Sequence, residues 1–222
     1  MKRIEYSSSD NRLNQQILQL LAECFGPQYR DYYLLQLEHL PSPKTTKILG
    51  NDRGDIIAFT QVVKYLYRTG DGKAPLRAAY LYSVCTAKAE QGKGVMKHFI
   101  KEILKELAAE GYAMAFLVPA EVWLIDYYKR LGFKWEATDV YAKLPRDTTP
   151  LIYPGEAAKE YLEAVSKIER QTISQAKFEA QKQREWQPLV PPVLGWMSYP
   201  LTEKLPQLPP TFLLLPLTWE GE

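Results

Sequence analysis

Along the first 144 residues, hydrophobic positions follow helical spacing in some segments and the pattern of strands in others. Apolar side chains follow helical spacing in residues 12–24, behind an N-cap candidate at Asp10 or Asn11. A second, tyrosine-rich helix is predicted over residues 29–40, since Pro41 disfavours helical backbone in the residue before it. The pattern therefore predicts two helices before the first strand.

Strand-like segments come next and then alternate with helices. Residues 44–50, 56–67 and 77–86 are rich in apolar, β-branched and aromatic residues, which favours strands. The stripe of apolar residues in 95–109 predicts an amphipathic helix, and 112–118 reads as a short apolar strand.

A helix over residues 121–131 and a strand over 133–144 complete this part of the chain. The order begins with neighbouring strands and continues as strand, helix, strand, helix and strand. Such an order predicts a mixed α/β sheet with antiparallel pairs early and a helical crossover later.

Proline density separates the C-terminal part of the chain from this core. Eight of the 16 prolines fall between Pro188 and Pro216, where a helix cannot run. We therefore predict a domain over residues 1–147 and a C-terminal extension over 148–222, which packs on the core or on a second copy of the chain. The extension is predicted to hold a helix over 155–184, and then Pro-rich extended segments that favour strands over 192–201 and 212–219.

Composition and charge exclude several classes of protein. Lysine and arginine number 28 against 26 acidic residues, and a net charge of +2 argues against a dedicated nucleic-acid binder. The two cysteines and two histidines form no metal-ligand pattern, so no metal site is predicted. The longest uncharged stretches are interrupted by prolines and too short to span a membrane, and no apolar run follows the N-terminus. We therefore expect a cytoplasmic protein without a membrane segment.

One strand-turn-helix segment carries candidate chemistry. Residues 80–86 end a strand, and a turn with two glycines opens the next helix, in the order Gln91, Gly92, Lys93, Gly94, Val95 and Met96. The first turn of a helix has unpaired amides and partial positive charge, and glycines let the backbone approach an anion closely. The segment therefore suits a pyrophosphate, although the two glycines could equally make a tight turn and nothing more.

These motifs resemble the GCN5-related N-acetyltransferases, the GNAT family. The family's strand ends V-x-T and its helix begins Q/R-x-x-G-x-G/A; this chain has Val84-Cys85-Thr86 and then Gln91, Gly94 and Met96. Met96 departs from the small residue of the pattern. A second match is Y-Y-K-R-L-G-F over residues 127–133, and the resemblance covers about residues 44–144.

The resemblance implies a fold and a set of site residues. The fold is a central, mostly antiparallel sheet of about six to seven strands with helices on both faces. The co-substrate is acetyl-CoA. Backbone groups of Val84 and Thr86 would pair with its pantetheine arm, the amides of residues 91–96 would hold its pyrophosphate, and the Val84 N–H would face the thioester carbonyl. Cys85, between them, belongs to the same predicted cofactor-binding segment, and alternation turns its side chain to the face opposite Val84 and Thr86.

Tyr128 is the candidate catalytic acid, because a phenol can donate a proton to the departing thiolate. The alternative is a ring that only packs on the sheet, which suits Tyr127 better. Glu90 and Glu121 are candidates for a base that removes the proton of the amine.

The leading functional hypothesis is acetyl transfer from acetyl-CoA to a primary amine by direct attack, without a covalent enzyme intermediate. The expected acceptor is the amine of a small molecule or of a peptide. The alternative is a non-catalytic acyl-CoA-binding module whose acceptor site is blocked. A homodimer is a further hypothesis about the assembly of the chain.

Overall fold

The computed structural model describes residues 1–69, 71–136, 151–155, 160–161, 164, 196–202 and 213–214. Most of the helix predicted over 155–184, and the strand predicted over 133–144 beyond residue 136, lie outside these residues. The described residues form a mixed α/β fold, which confirms the predicted class.

Two helices open the fold after a first short strand. Helix α1 spans Asn11–Phe25, and of the two N-cap candidates it is Asp10 that accepts a hydrogen bond from the Leu13 amide at 2.9 Å. Helix α2 spans Arg30–His39 after a single 3₁₀ turn. The apolar side of α1 is buried against the sheet, because its leucines and Ile17 recur at helical spacing.

The strands join in one sheet in the order β1-β2-β3-β4-β5-β8-β6, with β7 pairing both β3 and β9. Their bounds are β1 Lys2–Ile4, β2 Thr46–Gly50, β3 Ile56–Arg68, β4 Leu76–Thr86, β5 Met114–Leu117, β6 Lys134–Glu136, β7 Leu151–Pro154, β8 Trp196–Pro200 and β9 Leu213–Leu214. Of the described pairs, β4–β5 and β7–β9 are parallel and the rest are antiparallel. The sheet is therefore mostly antiparallel, as predicted.

Helices cover both faces of this sheet. Helix α3, Val95–Ala109, and helix α4, Val122–Lys129, pack on one face, where Ala58 of β3 is buried with them. Its neighbour Phe59 is buried with α1 instead. Because successive residues of a strand point to opposite faces, α1 lies across the sheet from α3 and α4.

Described parts of the C-terminal segment belong to the same sheet. Strand β8 lies between β5 and β6, and Trp196 and Met197 are fully buried there. Tyr161 is buried as well, and its hydroxyl lies 3.0 Å from that of Tyr82 on β4. Strands β8 and β9 fall within the two segments predicted to be strands, whereas β1 was not predicted, because three largely exposed residues carry no alternating pattern.

Candidate functional site

A cleft opens where two parallel strands separate. Strands β4 and β5 pair only from Ala78 with Met114 to Tyr80 with Phe116, whereas β4 continues to Thr86. A cavity of about 460 Å³ fills the space beyond the last pair. The described lining residues are Phe25, Tyr29, Tyr32, Tyr33, Tyr80, Leu81, Tyr82, Ser83, Val84, Leu117, Val118, Ala120, Leu124 and Tyr128.

A β-bulge shapes the wall that β4 contributes to this cavity. Cys85 pairs with Phe59 and Tyr82 pairs with Gln61, so two residues of β4 oppose only Thr60 of β3. These two residues are Ser83 and Val84, and Ser83 has a φ of 53°, which a residue other than glycine seldom adopts.

Two side chains fix the backbone of the bulge. The Thr60 hydroxyl donates to the carbonyl oxygen of Tyr82 at 2.9 Å, and the Ser83 hydroxyl donates to Oε1 of Gln36 at 3.0 Å. Gln36 and Thr60 are both buried, so these bonds are shielded from water. They compensate for part of the strain at Ser83.

The bulge determines on which face of the sheet the last side chains of β4 lie. Tyr82 packs in the same cluster as Tyr32 of α2, whereas Val84 packs with α3 on the other face and Cys85 packs with α1. Without the extra residue, Val84 would share the face of Tyr82. Val84 and Cys85 therefore lie on opposite faces, as strand alternation predicted.

Substitution of Ser83 tests whether the bulge depends on its positive φ. Valine is branched at Cβ and tolerates this conformation poorly, whereas glycine adopts it freely, and both lack the hydroxyl that reaches Gln36. We expect Ser83→Val to be less stable than Ser83→Gly by about 1–2 kcal/mol in urea unfolding. Equal stabilities would mean that β4 reaches its register without this backbone conformation.

The predicted anion site is an open, exposed turn between β4 and α3. Gly92 and Gly94 have φ values of 75° and 76°, and a Cβ at either position would meet no atom within 4 Å. The side-chain amide of Gln91 closes the turn, since its Nε2 donates to the Thr86 carbonyl at 3.0 Å. The Lys93 ammonium lies beside the turn and pairs there with the Glu90 carboxylate at 3.2 Å.

The first turn of α3 lacks side-chain caps and acidic residues. Gly94 is its N-cap, Val95 is buried, and Met96 packs against the apolar cluster. Amides at such a helix start have no partner within the helix and carry partial positive charge. Together with the open space at the two glycines, this arrangement fits a pyrophosphate.

Tyr128 lies on α4 and lines the cavity beside Val84. Its side chain is buried, with edge-to-face contacts to Tyr127 and Phe133 at centroid distances of 5.3 and 5.7 Å. Burial raises the pKa of the Tyr128 phenol well above its ordinary value. The phenol is therefore protonated at neutral pH, as a proton donor must be.

The buried cysteine of β4 is not suited to covalent chemistry. Cys85 does not line the cavity, and burial raises the pKa of its thiol well above the ordinary value. A protonated, enclosed thiol is a poor nucleophile. Cys24 of α1 instead stabilises the end of β4, since its thiol donates to the Thr86 carbonyl at 3.4 Å.

The structure brings some of the predicted residues together and not others. Val84 and Tyr128 share the cavity, whereas Glu90 is paired with Lys93 and Glu121 is exposed at the start of α4. Neither glutamate lines the cavity, so the geometry gives no support to either as the base.

Six aromatic residues outside α4 form a large part of the cavity lining, and we call them the aromatic wall. It consists of Phe25, Tyr29, Tyr32, Tyr33, Tyr80 and Tyr82. The sequence showed the tyrosine-rich start of α2, but the signal that joins it to β4 is the alternation of Tyr80 and Tyr82, which puts both rings on one face.

The described residues hold neither a metal-binding cluster nor a helix that could span a membrane. No group of three or more histidine, cysteine or carboxylate side chains in this part of the chain is arranged to hold a metal ion. Among its helices, none combines the length and the apolar character that crossing a membrane requires.

Residues 5–136 match a family model described as the acetyltransferase (GNAT) domain. A comparison of the chain with curated proteins finds no match. Among solved structures, aminoglycoside 6'-acetyltransferase type Ii superimposes with a TM-score of 0.54 and 13% identity, over 91% of this chain and 98% of that chain. An aminoglycoside 6'-N-acetyltransferase complexed with coenzyme A gives 0.50 and 14%, over 64% of this chain and 89% of the other.

A larger protein shares the same fold. The GCN5-related N-acetyltransferase of Anabaena variabilis superimposes with a TM-score of 0.51 and 16% identity, over 61% of this chain and 32% of that one. The present chain therefore spans about a third of that protein. At these identities the similarity shows a common fold.

Proposed function

Because the chain belongs to the GCN5-related N-acetyltransferase (GNAT) family, we propose that it moves an acetyl group from acetyl-CoA to a primary amine by direct attack. The observation that carries this proposal is the cleft between β4 and β5. One cavity there is lined both by Val84, the second residue of the bulge, and by the protonated phenol of Tyr128.

Acetyl-CoA supplies the activated acyl carbon, and the residues of this chain suit its parts. The amides from Gln91 to Met96 would bind the pyrophosphate, with the charge of Lys93 beside them. Backbone groups of Val84 and Thr86 would pair with the pantetheine arm. Val84 is the better placed of the two, since the Thr86 carbonyl already accepts bonds from two side chains.

Val84 and Tyr128 would divide the chemistry between them. The Val84 N–H would stabilise the negative charge that develops on the thioester oxygen when the amine attacks. Tyr128 would give its proton to the thiolate as the carbon–sulfur bond breaks. Burial keeps the phenol protonated at neutral pH, so it holds the proton that this step requires.

The absence of a covalent intermediate in this proposal rests on Cys85. Its thiol is buried outside the cavity, and its pKa is raised well above the ordinary value, so direct attack by the amine is the simpler route. The amine must attack in its neutral form, and the uncharged lining of the cavity favours that form.

The experiment that tests this function measures CoA release from acetyl-CoA by the full chain, with and without a panel of primary amines. We expect release that depends on the amine and saturates with it. Calorimetric binding of acetyl-CoA without release on any amine would instead favour the non-catalytic acyl-CoA-binding module.

Several expectations about partners stay predictions. These are a small-molecule or peptide acceptor, no nucleic-acid or membrane partner, a cytoplasmic location and a homodimer. The division into a domain over 1–147 and an extension over 148–222 is likewise a proposal, although β8 of that extension pairs with β5 and β6.

A further inference from the structure

From the aromatic wall we propose that the acceptor is a monoamine that carries an aromatic or similarly flat apolar group, and that polycations are poor acceptors. This inference rests on the proposed function, since it assigns the cavity to the acceptor. Two similar structures are named as aminoglycoside acetyltransferases, and aminoglycosides are polycations, so the proposal separates this chain from them.

The lining of the cavity carries no formal charge at neutral pH. All fourteen described lining residues are of uncharged types. Burial raises the pKa of Tyr33 to about 12 and raises those of Tyr80 and Tyr82, so these phenols stay protonated. Each ammonium that enters loses water of hydration, and a polycation loses it several times over.

The hydroxyls of the wall are partly engaged within the protein. Tyr33 donates to the Gly26 carbonyl at 2.8 Å, and the hydroxyls of Tyr82 and Tyr161 lie 3.0 Å apart. Tyr33 and Tyr82 therefore present ring surface to the cavity more than hydrogen-bonding capacity. A sugar with many hydroxyls would find fewer partners here than a flat apolar group would.

Two rings at the start of α2 are arranged to accept a third. Tyr29 is 48% exposed, and its ring meets Tyr32 edge to face at a centroid distance of 6.2 Å. Aromatic groups prefer such offset and edge-on contacts. The ring of a monoamine can use them while its one nitrogen, in neutral form, reaches the thioester.

The volume also favours a small acceptor. The cavity of about 460 Å³ extends from the aromatic wall to Tyr128 and Val84, so one space must hold the reacting ends of both substrates. Small-molecule sites measure about 300–1,000 Å³. An aromatic ring with a short alkylamine needs less of this shared space than an aminoglycoside does.

The chemical step balances without a charged base in the lining. The lone pair of the neutral amine forms the nitrogen–carbon bond to the acetyl carbon, and the carbon–sulfur bond breaks with its electron pair on sulfur. Tyr128 protonates that sulfur, and the extra proton on nitrogen leaves to solvent and restores the phenol. The products are the acetamide and CoA.

The test compares phenylethylamine with spermidine on the full chain. Calorimetry in the presence of CoA, which cannot react, measures binding, and acetyl-CoA then measures kcat/KM for each amine. We expect phenylethylamine to bind and react about tenfold better or more. Spermidine that binds as tightly as phenylethylamine, or that reacts better, overturns the inference and leaves acetyl transfer intact.

Two variants locate the effect on the wall. Tyr29→Ala should weaken phenylethylamine binding about three- to tenfold, because it removes one ring face. Leu34→Ala is the control, since Leu34 is an exposed apolar residue of α2 that does not line the cavity, and it should change nothing. An equal effect of both variants, or none of either, contradicts the assignment. Phenylethylamine that binds as expected but is never acetylated contradicts the proposed function instead.

Discussion

Substitution of Gly94 by aspartate is expected to weaken acetyl-CoA binding about tenfold to a hundredfold. Gly94 is the N-cap of α3, in an exposed turn with open space around its Cα. A carboxylate there would satisfy the helix amides that a pyrophosphate is proposed to use, and it would repel the phosphates. Calorimetry with acetyl-CoA measures the loss.

Two controls separate charge from backbone strain in this experiment. Gly94→Asn has nearly the shape of Gly94→Asp and a similar tolerance of positive φ, without the charge. Gly111→Asp places the same residue at a φ of 81° after the other end of α3, also in open space. Gly111→Asp should bind acetyl-CoA within a few-fold of the parent, and Gly94→Asn, which can occupy the same helix amides without the charge, should lose clearly less affinity than Gly94→Asp. If Gly94→Asn loses as much affinity as Gly94→Asp, the charge argument is wrong.

Substitution of Tyr128 by phenylalanine is expected to lower kcat about 10²–10⁴-fold and to leave acetyl-CoA affinity nearly unchanged. The ring contacts with Tyr127 and Phe133 remain, so only the proton is lost. A thiolate leaves readily without help, which puts the expected loss at the lower end of that range. Single-turnover acetyl transfer isolates the chemical step.

The matched control for this prediction is Tyr127→Phe. Tyr127 is the neighbouring residue on α4, but it is not part of the cavity lining. We expect it to keep the parent rate within a few-fold. Equal single-turnover rates for Tyr128→Phe and the parent would leave Tyr128 as a packing residue, and the proton would have to come from water.

Local patterns in the sequence predicted the elements because each depends on nearby residues. Asp10 caps α1, a stripe of apolar side chains buries α3, and turn residues separate β2 from β3. The sheet order of the C-terminal strands could not be predicted. The insertion of β8 between β5 and β6 depends on contacts between residues about sixty to eighty apart in the chain, such as Lys134 with Ser198 and Phe116 with Ser198, which no local pattern encodes.

Some parts of the candidate site are marked by local sequence, and others form only when distant elements meet. The anion turn and Tyr128 were predicted, since glycine spacing and a family motif mark them in the sequence. The bulge at Ser83 was not predicted, because serine seldom adopts a positive φ and so does not indicate one. The residues that support the bulge, Gln36 and Thr60, also belong to other elements. The aromatic wall likewise joins α1, α2 and β4, which only the fold brings together.

Acetylation of a defined amine tests the central claim most directly. The full chain is incubated with phenylethylamine and acetyl-CoA that carries an isotopic label in the acetyl group, and mass spectrometry follows the amine. We expect labelled acetamide to form in step with free CoA, and both to be strongly reduced with Gly94→Asp at limiting acetyl-CoA. If no amine in a panel that includes phenylethylamine gains the label while acetyl-CoA binds normally, the chain is not an acetyltransferase for amines.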